Sequence, residues 1–443
     1  MPIPRIAGNR VLSRGTMTIL YQGMASSSNF LFAFLLARHL AENVFGAFVL
    51  VYSIATFIII IAESLIYTPA SVFCSGPAEV VERKYDQGVF LAMVAGAILS
   101  ALLFLGTSGA VLYFSSDSPL VFACMGYAVP FLLYFIKYGS CRLLIVKGHA
   151  NLATVVQVVY LALLGALLAY FIRGGGFSLL HGYFALTFSS LAAAALGMAL
   201  VIRRMGRKPG GSIRKSIREN LNFGSWGLLT NILANVGGRI FSFSVAALLG
   251  LSATGAIGAY LQVLGPLNMF YSGMRSFALP ETMRRNRDAA PWQVWAFIKK
   301  IYAYGLVIPL GFLLIIAIWG KPILELVYNG KYLDGYDCIY FLIMFYLVEY
   351  FARPLMVAMY ALKIPRKLFL PSVLRLAATV VIGIPLIWLW GLNGATLGIL
   401  VTGLVNMIAL AVIFRGHFRG LQTVSRTAIV TPHAYERKST KSI

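Results

Sequence analysis

The stretch VFGAFVLVYSIATFIIIIAESLIYT, residues 44–68, decides the fold class of this 443-residue chain. It contains a single charged side chain, Glu63, and its apolar residues lack the strict alternation of a half-buried strand. A helix of about 20 residues crosses the hydrocarbon core of a bilayer, so this run is long enough to span a membrane. Because only helices and closed barrels satisfy the backbone in lipid, the run predicts a spanning helix.

Similar apolar runs recur along the whole chain, in which 59% of the residues are hydrophobic and 12% are charged. An ordinary soluble domain carries about 25% charged residues, so a membrane is the solvent that fits this composition. We expect residues 1–22 to belong to the first spanning helix and its basic flank, and not to a removed signal peptide. The sequence therefore predicts an all-α polytopic membrane protein of about twelve helices. They lie near residues 15–37, 44–68, 88–114, 119–143, 150–172, 177–202, 222–249, 256–279, 298–319, 338–360, 368–390 and 394–415.

Basic residues are distributed unevenly between the predicted loops. With the N-terminus in the cytoplasm, the predicted periplasmic loops contain few of the 37 Lys and Arg residues, namely Arg38, Arg173, Lys321 and Lys331. Arg239 and Arg375 lie within spans, and the others, including Lys137, are assigned to cytoplasmic segments. This asymmetry predicts cytoplasmic termini and a bacterial inner membrane location. It also explains the net charge of +23 without a nucleic-acid partner.

The densest basic cluster, residues 203–218, lies near the midpoint of the chain and contains the helix breaker Pro209-Gly210-Gly211. A weak internal repeat pairs Gly46-Ala47-Phe48 with Gly258-Ala259-Tyr260. Many secondary transporters consist of two six-helix halves that meet at a midplane site. The predicted organisation is an N-terminal six-helix lobe at 1–202, a basic cytoplasmic linker at 203–220, a C-terminal six-helix lobe at 221–415 and a basic cytoplasmic tail at 416–443.

Motifs of several enzyme and metal-binding classes are missing from the sequence. There is no G-x-x-x-x-G-K-[ST] phosphate loop, and the five histidines are not at ligand spacing. Four cysteines lie far apart and are expected to be small buried apolar residues: Cys74, Cys124, Cys141 and Cys338. No predicted loop is long enough for an external catalytic domain. The sequence therefore predicts no metal or cofactor and favours a function other than catalysis.

Ionisable residues within the predicted spans identify the candidate site, because each costs roughly 2.5–3.5 kcal/mol to insert and usually faces a cavity or a partner. Arg239, beside Gly237-Gly238, is a candidate cavity cation for an anionic headgroup, since a guanidinium can bind two phosphate oxygens. An ion pair that joins two helices is the alternative. Arg375 has the same two interpretations and could also extend to the interface.

Further charged residues lie at the cytoplasmic ends of helices or deep within them. Arg14, Arg142 and Arg275 are interfacial anchors or together a cationic entrance. Glu349 precedes Arg353 by one helical turn, which allows an ion pair. Glu349 and Glu63 are alternatively ion-coupling carboxylates. Arginine outnumbers acid at depth, which favours an anionic substrate over a cationic drug.

Several junctions between helices resemble those of bacterial polysaccharide flippases, the O-antigen and exopolysaccharide exporters of the multidrug/oligosaccharidyl-lipid/polysaccharide exporter superfamily. The similarity covers essentially the whole chain, and the order and spacing of the motifs are its main support. The motifs are LARHLAENVFG at 36–46, FGSW at 223–226, TGAIGAY at 254–260, Leu279-Pro280, NGKY at 329–332 and WGLNGA at 390–395.

The resemblance implies a V-shaped, two-lobed transporter that works by alternating access. It implies transfer of an undecaprenyl-pyrophosphate-linked oligosaccharide to the periplasmic leaflet, with a polysaccharide polymerase complex as a candidate partner. The chain departs from the family at Arg239, where an acidic residue is common, and this strengthens the expectation of an anionic headgroup. A multidrug and toxin extrusion antiporter, a membrane enzyme of glycan assembly and a scaffold without transport remain the alternatives.

Overall fold

The computed structural model describes residues 5–68, 82–114, 118–204, 213–287, 291–362 and 364–430, with most of the side chains within them. These residues form helices and contain no β-strand. Short π-helical turns at Glu63–Tyr67 and Thr379–Gly383 follow α2 and α12. The α-helices are α1 Arg5–His39, α2 Glu42–Ala62, α3 Glu82–Phe114, α4 Ser118–Val146, α5 Ala150–Arg173, α6 Leu179–Arg204, α7 Ile213–Val263, α8 Gly265–Arg287, α9 Pro291–Gly305, α10 Val307–Tyr328, α11 Ile339–Ala361, α12 Phe369–Ala378 and α13 Ile384–Val430.

Eight helical stretches within the described residues are long and apolar enough to cross a membrane. The longest, Arg366–Phe418, has 53 residues. A straight helix of that length would extend about 80 Å, which exceeds one bilayer core. Its backbone leaves the helical conformation at Trp390 and Gly391, where two crossings meet. The structure thus confirms an all-α protein that passes through the membrane several times.

Three prolines within predicted spans mark the beginning of a new helix. Pro266, Pro309 and Pro385 lie in the first turn of α8, α10 and α13 respectively. Proline lacks the backbone N–H that the interior of a helix requires, whereas the first turn does not use that donor. Two others, Pro130 and Pro354, lie inside α4 and α11. The regular helical pattern changes beside Pro309 and Pro385, but the backbone keeps a helical conformation through Leu306 and Ile384, so these are local interruptions and not complete breaks.

Several helices extend beyond the apolar runs from which the spans are predicted. Helix α7 begins at Ile213, so residues 213–220 of the predicted linker are helical. Helix α13 continues to Val430 and includes the first part of the predicted tail. Helix α10 continues to Tyr328 and ends at Asn329, which has a left-handed backbone with φ of 55°. Hydropathy locates the membrane-embedded part of a helix and does not locate its ends.

The two halves of the chain pack together along α2 and α7. A Cβ atom at Gly46 of α2 would overlap the backbone of Leu251, and a Cβ at Gly255 would overlap the backbone of Glu42. Glycine is required at both positions because the two backbones approach so closely. Gly258, the repeat partner of Gly46, packs on the side chains of Val49 and Phe45 in the same contact.

Hydrogen bonds join the halves beside these glycines, at the end of the bundle that we call the predicted periplasmic end. Lys331 Nζ donates to the backbone oxygens of Arg38, at 3.0 Å, and Leu40, at 2.8 Å. The positive charge therefore lies at the carbonyl end of α1, where cations are favoured. The backbone N–H of Tyr332 donates to Glu42 Oε1 at 3.3 Å. The structure is accordingly closed between the halves at this end.

Candidate functional site

The C-terminal half encloses a cavity of about 190 Å³ that we call the charged cavity. Helices α7, α8, α11, α12 and α13 supply its walls. Three of the lining residues are arginines and one is a carboxylate, at membrane depth, where isolated charges are costly. The lining residues are Asn235, Arg275, Glu349, Arg353, Met356, Val357, Tyr360, Ser372, Arg375 and Asn406.

Glu349 lies between two arginines in this cavity. Arg353, one turn later on α11, places its Nε 3.3 Å from Glu349 Oε2. Arg375 of α12 donates from Nη1 to Glu349 Oε1, also at 3.3 Å. The buried Nε of Arg353 nevertheless has no hydrogen-bond partner among the described residues, because its contact with Glu349 lacks hydrogen-bond geometry. Two arginines and one carboxylate give this cluster a net positive charge, and the Nε–H of Arg353 can still donate to an acceptor.

Aromatic faces hold the guanidinium groups of this half. Arg353 Cζ lies 4.8 Å from the ring centroid of Tyr271, and Arg275 Cζ lies 5.6 Å from that of Tyr360. Such stacking stabilises a guanidinium without using its hydrogen-bond donors. Arg275 is exposed and pairs with no carboxylate in the described part of the chain. It is the cation in this cavity that a ligand can reach most easily.

Arg375 also borders a second cavity of about 200 Å³, which we call the hydroxyl cavity. The walls are apolar or small residues interspersed with hydroxyl groups. Val49 of α2 belongs to the lining, so the cavity touches the N-terminal half. The remaining lining residues are Gly237, Gly238, Phe241, Ser242, Val245, Thr254, Ile257, Leu261, Phe345, Thr379, Ile399 and Thr402.

A π-helical turn fixes the boundary between the two cavities. Helix α12 ends at Ala378, and the π turn Thr379–Gly383 follows directly. Thr379 Oγ1 donates to the backbone oxygen of Arg375 at 2.9 Å. Single π turns within α-helices are frequent at functional sites, because they displace side chains from the regular helical pattern. Here Thr379, the first residue of the turn, lines the hydroxyl cavity, and Arg375, one turn earlier, lines both cavities.

Arg239, the principal predicted cavity cation, faces a different direction. Its neighbours Gly237 and Gly238 line the hydroxyl cavity, whereas the Arg239 side chain does not. The side chain is partly buried and interacts electrostatically with Tyr52 of α2. None of the described carboxylates pairs with it. Arg239 therefore lies toward the N-terminal half, and its predicted role in substrate binding stays a prediction.

Glu63 and Arg142 lie together in the N-terminal half. Arg142 Nε donates to Glu63 Oε2 at 3.1 Å, and its Nη2 contacts Oε1 of the same carboxylate. The hydroxyl of Tyr138 donates to Glu63 Oε2 at 2.8 Å. Glu63 is the first residue of a π turn, as Thr379 is in the other half. The predicted entrance cation Arg142 is thus paired with Glu63, and the side chain of Arg14 lies outside the described residues.

Lys137, which the distribution of basic residues assigns to a cytoplasmic segment, is instead buried inside the protein. The structure places it inside α4 with 1% exposure. Its Nζ lies 3.0 Å from Gln157 Oε1 and 3.9 Å from the ring centroid of Tyr160. Its position within the predicted span 119–143 was the signal that could have revealed it.

Metal-binding groups and disulfides are not features of this site. The described residues contain no group of His, Cys, Asp and Glu side chains that could hold a metal ion. Cys124, Cys141 and Cys338 are buried and no disulfide joins them, as expected from their apolar surroundings. Cys74 lies outside the described residues.

Comparison with known proteins identifies the fold. No family model and no curated protein matches the chain. A multidrug resistance MATE family transporter of the MOP superfamily, solved facing inward, has a TM-score of 0.66 at 17% identity, over 94% of this chain and 98% of that chain. The chain has the MATE fold. A MATE structure in the straight conformation also gives a TM-score of 0.66, at 15% identity, over 94% of this chain and 96% of that one.

The MATE fold accounts for the architecture of both halves, because these matches extend over nearly the full length of each chain. The predicted layout of twelve helices in two lobes agrees with it. A third match is a MOP superfamily transporter from Pyrococcus furiosus Vc1, with a TM-score of 0.60 at 15% identity, over 93% of this chain and 96% of that one. Its description states that a reverse polarity of the binding pocket suggests a different function.

Proposed function

We propose that this MATE-fold protein is a flippase for an undecaprenyl-pyrophosphate-linked oligosaccharide. It moves this lipid from the cytoplasmic to the periplasmic leaflet of the bacterial inner membrane, by alternating access, for surface polysaccharide synthesis. The observation that carries the proposal is the charged cavity, in which Arg275, Arg353 and Arg375 face a single carboxylate, Glu349.

The charged cavity suits a pyrophosphate. Glu349 holds the guanidinium groups of Arg353 and Arg375 in place, so their donors are oriented before a ligand arrives. The buried Nε of Arg353 lacks a hydrogen-bond partner among the described residues, and Arg275 is exposed beside them. Buried donors without partners are rare in native proteins. An oxyanion would satisfy this donor and neutralise the excess positive charge.

The hydroxyl cavity suits sugar hydroxyls. Ser242 Oγ donates to the Gly238 backbone oxygen at 3.1 Å, and Thr379 Oγ1 donates to that of Arg375 at 2.9 Å. Thr402 Oγ1 likewise donates to the backbone oxygen of Ile399 at 2.9 Å. Since each hydroxyl proton is used within its own helix, the oxygen lone pairs remain as acceptors. A ligand rich in hydroxyl donors and joined to an anionic group would match the two cavities together.

The Pyrococcus furiosus structure supports a departure from drug transport. Its description links a reversed pocket polarity to a different function in a protein with which this chain shares its fold. In the present chain the arginine excess gives a polarity that favours anions. We therefore take the charge of the cavity residues as the guide to the charge of the substrate.

A multidrug antiporter is the second candidate, because two of the reported matches are described as MATE structures. Aromatic rings such as Tyr271 and Tyr360 could bind an organic cation. Arginines already occupy the faces of these rings, however, so a cationic drug would meet positive charge there. If the protein is a multidrug antiporter, cells that express it should become drug resistant, whereas expression of a flippase should give no resistance. A membrane enzyme of glycan assembly is less favoured, since the matched structures are transporters.

The decisive experiment measures which leaflet holds the lipid-linked oligosaccharide in a deletion strain, with an impermeant probe on spheroplasts. We expect accumulation on the cytoplasmic face that wild-type protein relieves. The Arg375→Ala variant should not relieve this accumulation, because the loss of a charge-assisted contact of about 1.5–3 kcal/mol weakens substrate binding roughly tenfold to a hundredfold. Arg366→Ala is the matched control, as Arg366 is exposed just before α12.

Three outcomes would contradict the proposal. Normal export by a normally expressed Arg375→Ala variant would remove the charged cavity from the function. Accumulation on the outer face, with loss of long-chain glycan, would indicate a polymerase. No accumulation on either face, together with drug resistance upon expression, would indicate the multidrug antiporter.

A further inference from the structure

Lys137 is buried in the N-terminal half within a cage that contains no acid. Its ammonium group donates to Gln157 Oε1 at 3.0 Å. The Nζ atom also lies 3.9 Å from the ring centroid of Tyr160 and 4.5 Å from that of Tyr134. Gln157 Nε2 in turn donates to Ser28 Oγ of α1 at 2.9 Å, so the cage joins α4, α5 and α1. The three arginine contacts to carboxylates described above have no counterpart at this lysine.

The titratable groups around this lysine are phenols and a thiol. On its own helix they are Tyr134 and Cys141, and on α5 the group is Tyr160. Tyr52 of α2 interacts electrostatically with both tyrosine rings, and Tyr21 of α1 interacts with Cys141. Helix α6 contributes Ser190, which contacts Tyr160, and Tyr127 of α4 interacts with both ring partners of the lysine and with Tyr183 of α6. No carboxylate among the described residues faces Lys137, so a charge on it is stabilised by rings and an amide alone.

Such a cage suits both protonation states of the amine. Burial opposes the charged form, whereas the aromatic faces and the amide oxygen of Gln157 stabilise it. After loss of a proton the neutral amine still has two N–H donors, so its contact with Gln157 survives. A lysine in an ion pair would instead leave a buried carboxylate unpaired when it loses its proton. Lys137 can therefore exchange a proton without breaking an ion pair.

Only a small ion can use this site. Lys137 is 1% exposed and Gln157 and Ser28 are equally buried, so a lipid headgroup cannot reach the amine. Glu63 and Glu349, the carboxylates that the sequence suggested for ion coupling, are already neutralised by arginines. Ionisable residues inside the membrane mark substrate or ion pathways, and proton relays are one of their uses. Among the described Asp, Glu, Lys and Arg side chains of the N-terminal half, Lys137 is fully buried, and none of the ion pairs described above includes it.

We propose that Lys137 is the proton-exchange site that couples transport to a proton gradient. In each cycle the ammonium group releases one proton and becomes an amine, which later takes up one proton from the other side. No other bond forms or breaks. The coupling to transport rests on the proposed function, whereas the proton exchange itself does not.

The first test follows the protonation of Lys137 in the wild-type full chain. Lysine labelled with ¹⁵N gives separate Nζ signals for the ammonium and the amine, and the Lys137 signal is the one absent from both Lys137→Met and Lys137→Arg. We expect this signal to change from the ammonium to the amine position between roughly pH 6 and pH 9, the range in which a buried lysine can titrate. An ammonium signal that persists throughout this range would overturn the proposal and make Lys137 a structural cation.

The second test measures coupling in proteoliposomes with a fluorescent short-chain prenyl-pyrophosphate disaccharide as the probe. With one proton per cycle, a gradient of one pH unit should change the accumulation ratio of the probe up to about tenfold for wild-type protein. Lys137→Met should equilibrate the probe without responding to the gradient, and Lys137→Arg should not respond either. Lys147→Met, at the end of the same helix, is the matched control and should respond like wild type.

The outcomes separate this inference from the proposed function. A full response to the gradient by Lys137→Met would overturn the proposal even if Lys137 titrates. If wild-type protein moves no probe, the flippase assignment fails, and the titration alone decides whether Lys137 exchanges a proton. Should Lys137→Met fail to fold, the wild-type titration and the charge-preserving Lys137→Arg variant still decide the question.

Discussion

Replacing Glu349 by glutamine should destabilise the C-terminal half, because it removes the carboxylate that joins two arginines. Each contact, at 3.3 Å, corresponds to about 5 kcal/mol of attraction at an effective dielectric constant of 20. The desolvation of the three groups offsets much of this, and removal of one partner from a buried pair costs about 3–5 kcal/mol. Since the side chains of Arg353 and Arg375 are 30% and 29% exposed, water screens them. We therefore expect a loss of about 2–3 kcal/mol.

Thermal unfolding of the purified protein in detergent, with and without inorganic pyrophosphate, measures this effect. Glu349→Gln should melt several degrees below wild type. Pyrophosphate should raise its melting temperature more than that of wild type, because the carboxylate no longer competes for the guanidinium groups. Glu325→Gln is the control, since Glu325 is exposed on α10 and forms no ion pair in the described structure. An unchanged melting temperature, or a variant that pyrophosphate does not stabilise, would refute the reasoning.

Other substitutions address the remaining predicted cation and the closed end of the bundle. Arg239→Ala should severely reduce export in the leaflet assay, with Arg239→Lys retaining part of it, and near-normal export would argue against a cavity role. Gly46→Leu should separate the halves, because a side chain there overlaps the opposing backbone, and hydrogen exchange of residues 329–335 should rise. Lys331→Met should raise the same exchange, since it removes two hydrogen bonds worth about 1–3 kcal/mol together. Burial, followed by its two basic neighbours, lowers the pKa of His39. Of these causes, the charge of Lys331 comes from the opposite half, so opening removes it and the open state binds a proton more readily than the closed one. Closure should therefore be stable at neutral pH and weaken as the pH falls below about 6.5. His39→Ala should remove this dependence, and exchange rates that do not change with pH would contradict it.

The fold class could be predicted from the sequence because hydropathy is a property of local runs. Residues 44–68 indicate a spanning helix regardless of what packs against them, and prolines such as Pro309 indicate interruptions through their missing N–H. The ends of the helices could not be predicted in this way. Residues 213–220 carry charges and leave the apolar run, yet they continue the same helix.

The charged site could be predicted only where one helix supplies both partners. Glu349 and Arg353 are one turn apart on α11, so their ion pair follows from spacing alone. The contact of Arg375 with Glu349 joins α12 to α11, and that of Arg142 with Glu63 joins α4 to the end of α2. Such pairings depend on the tertiary packing of the helices, which a single sequence does not reveal.

The two halves of the molecule differ in the size of the ion that can reach their charges. The arginines of the charged cavity line a space of about 190 Å³, in which we propose that an anionic headgroup binds. Lys137 is enclosed by side chains, and a proton is the ion that fits. Helix α2 carries Tyr52, which interacts with the tyrosines around Lys137, and it packs on α7, which supplies Asn235 to the charged cavity. A change of protonation at Lys137 can therefore influence the charged cavity through the α2–α7 contact. Gly46→Leu therefore probes more than closure. If it leaves both sites intact but abolishes the response to the gradient, the α2–α7 contact transmits the coupling.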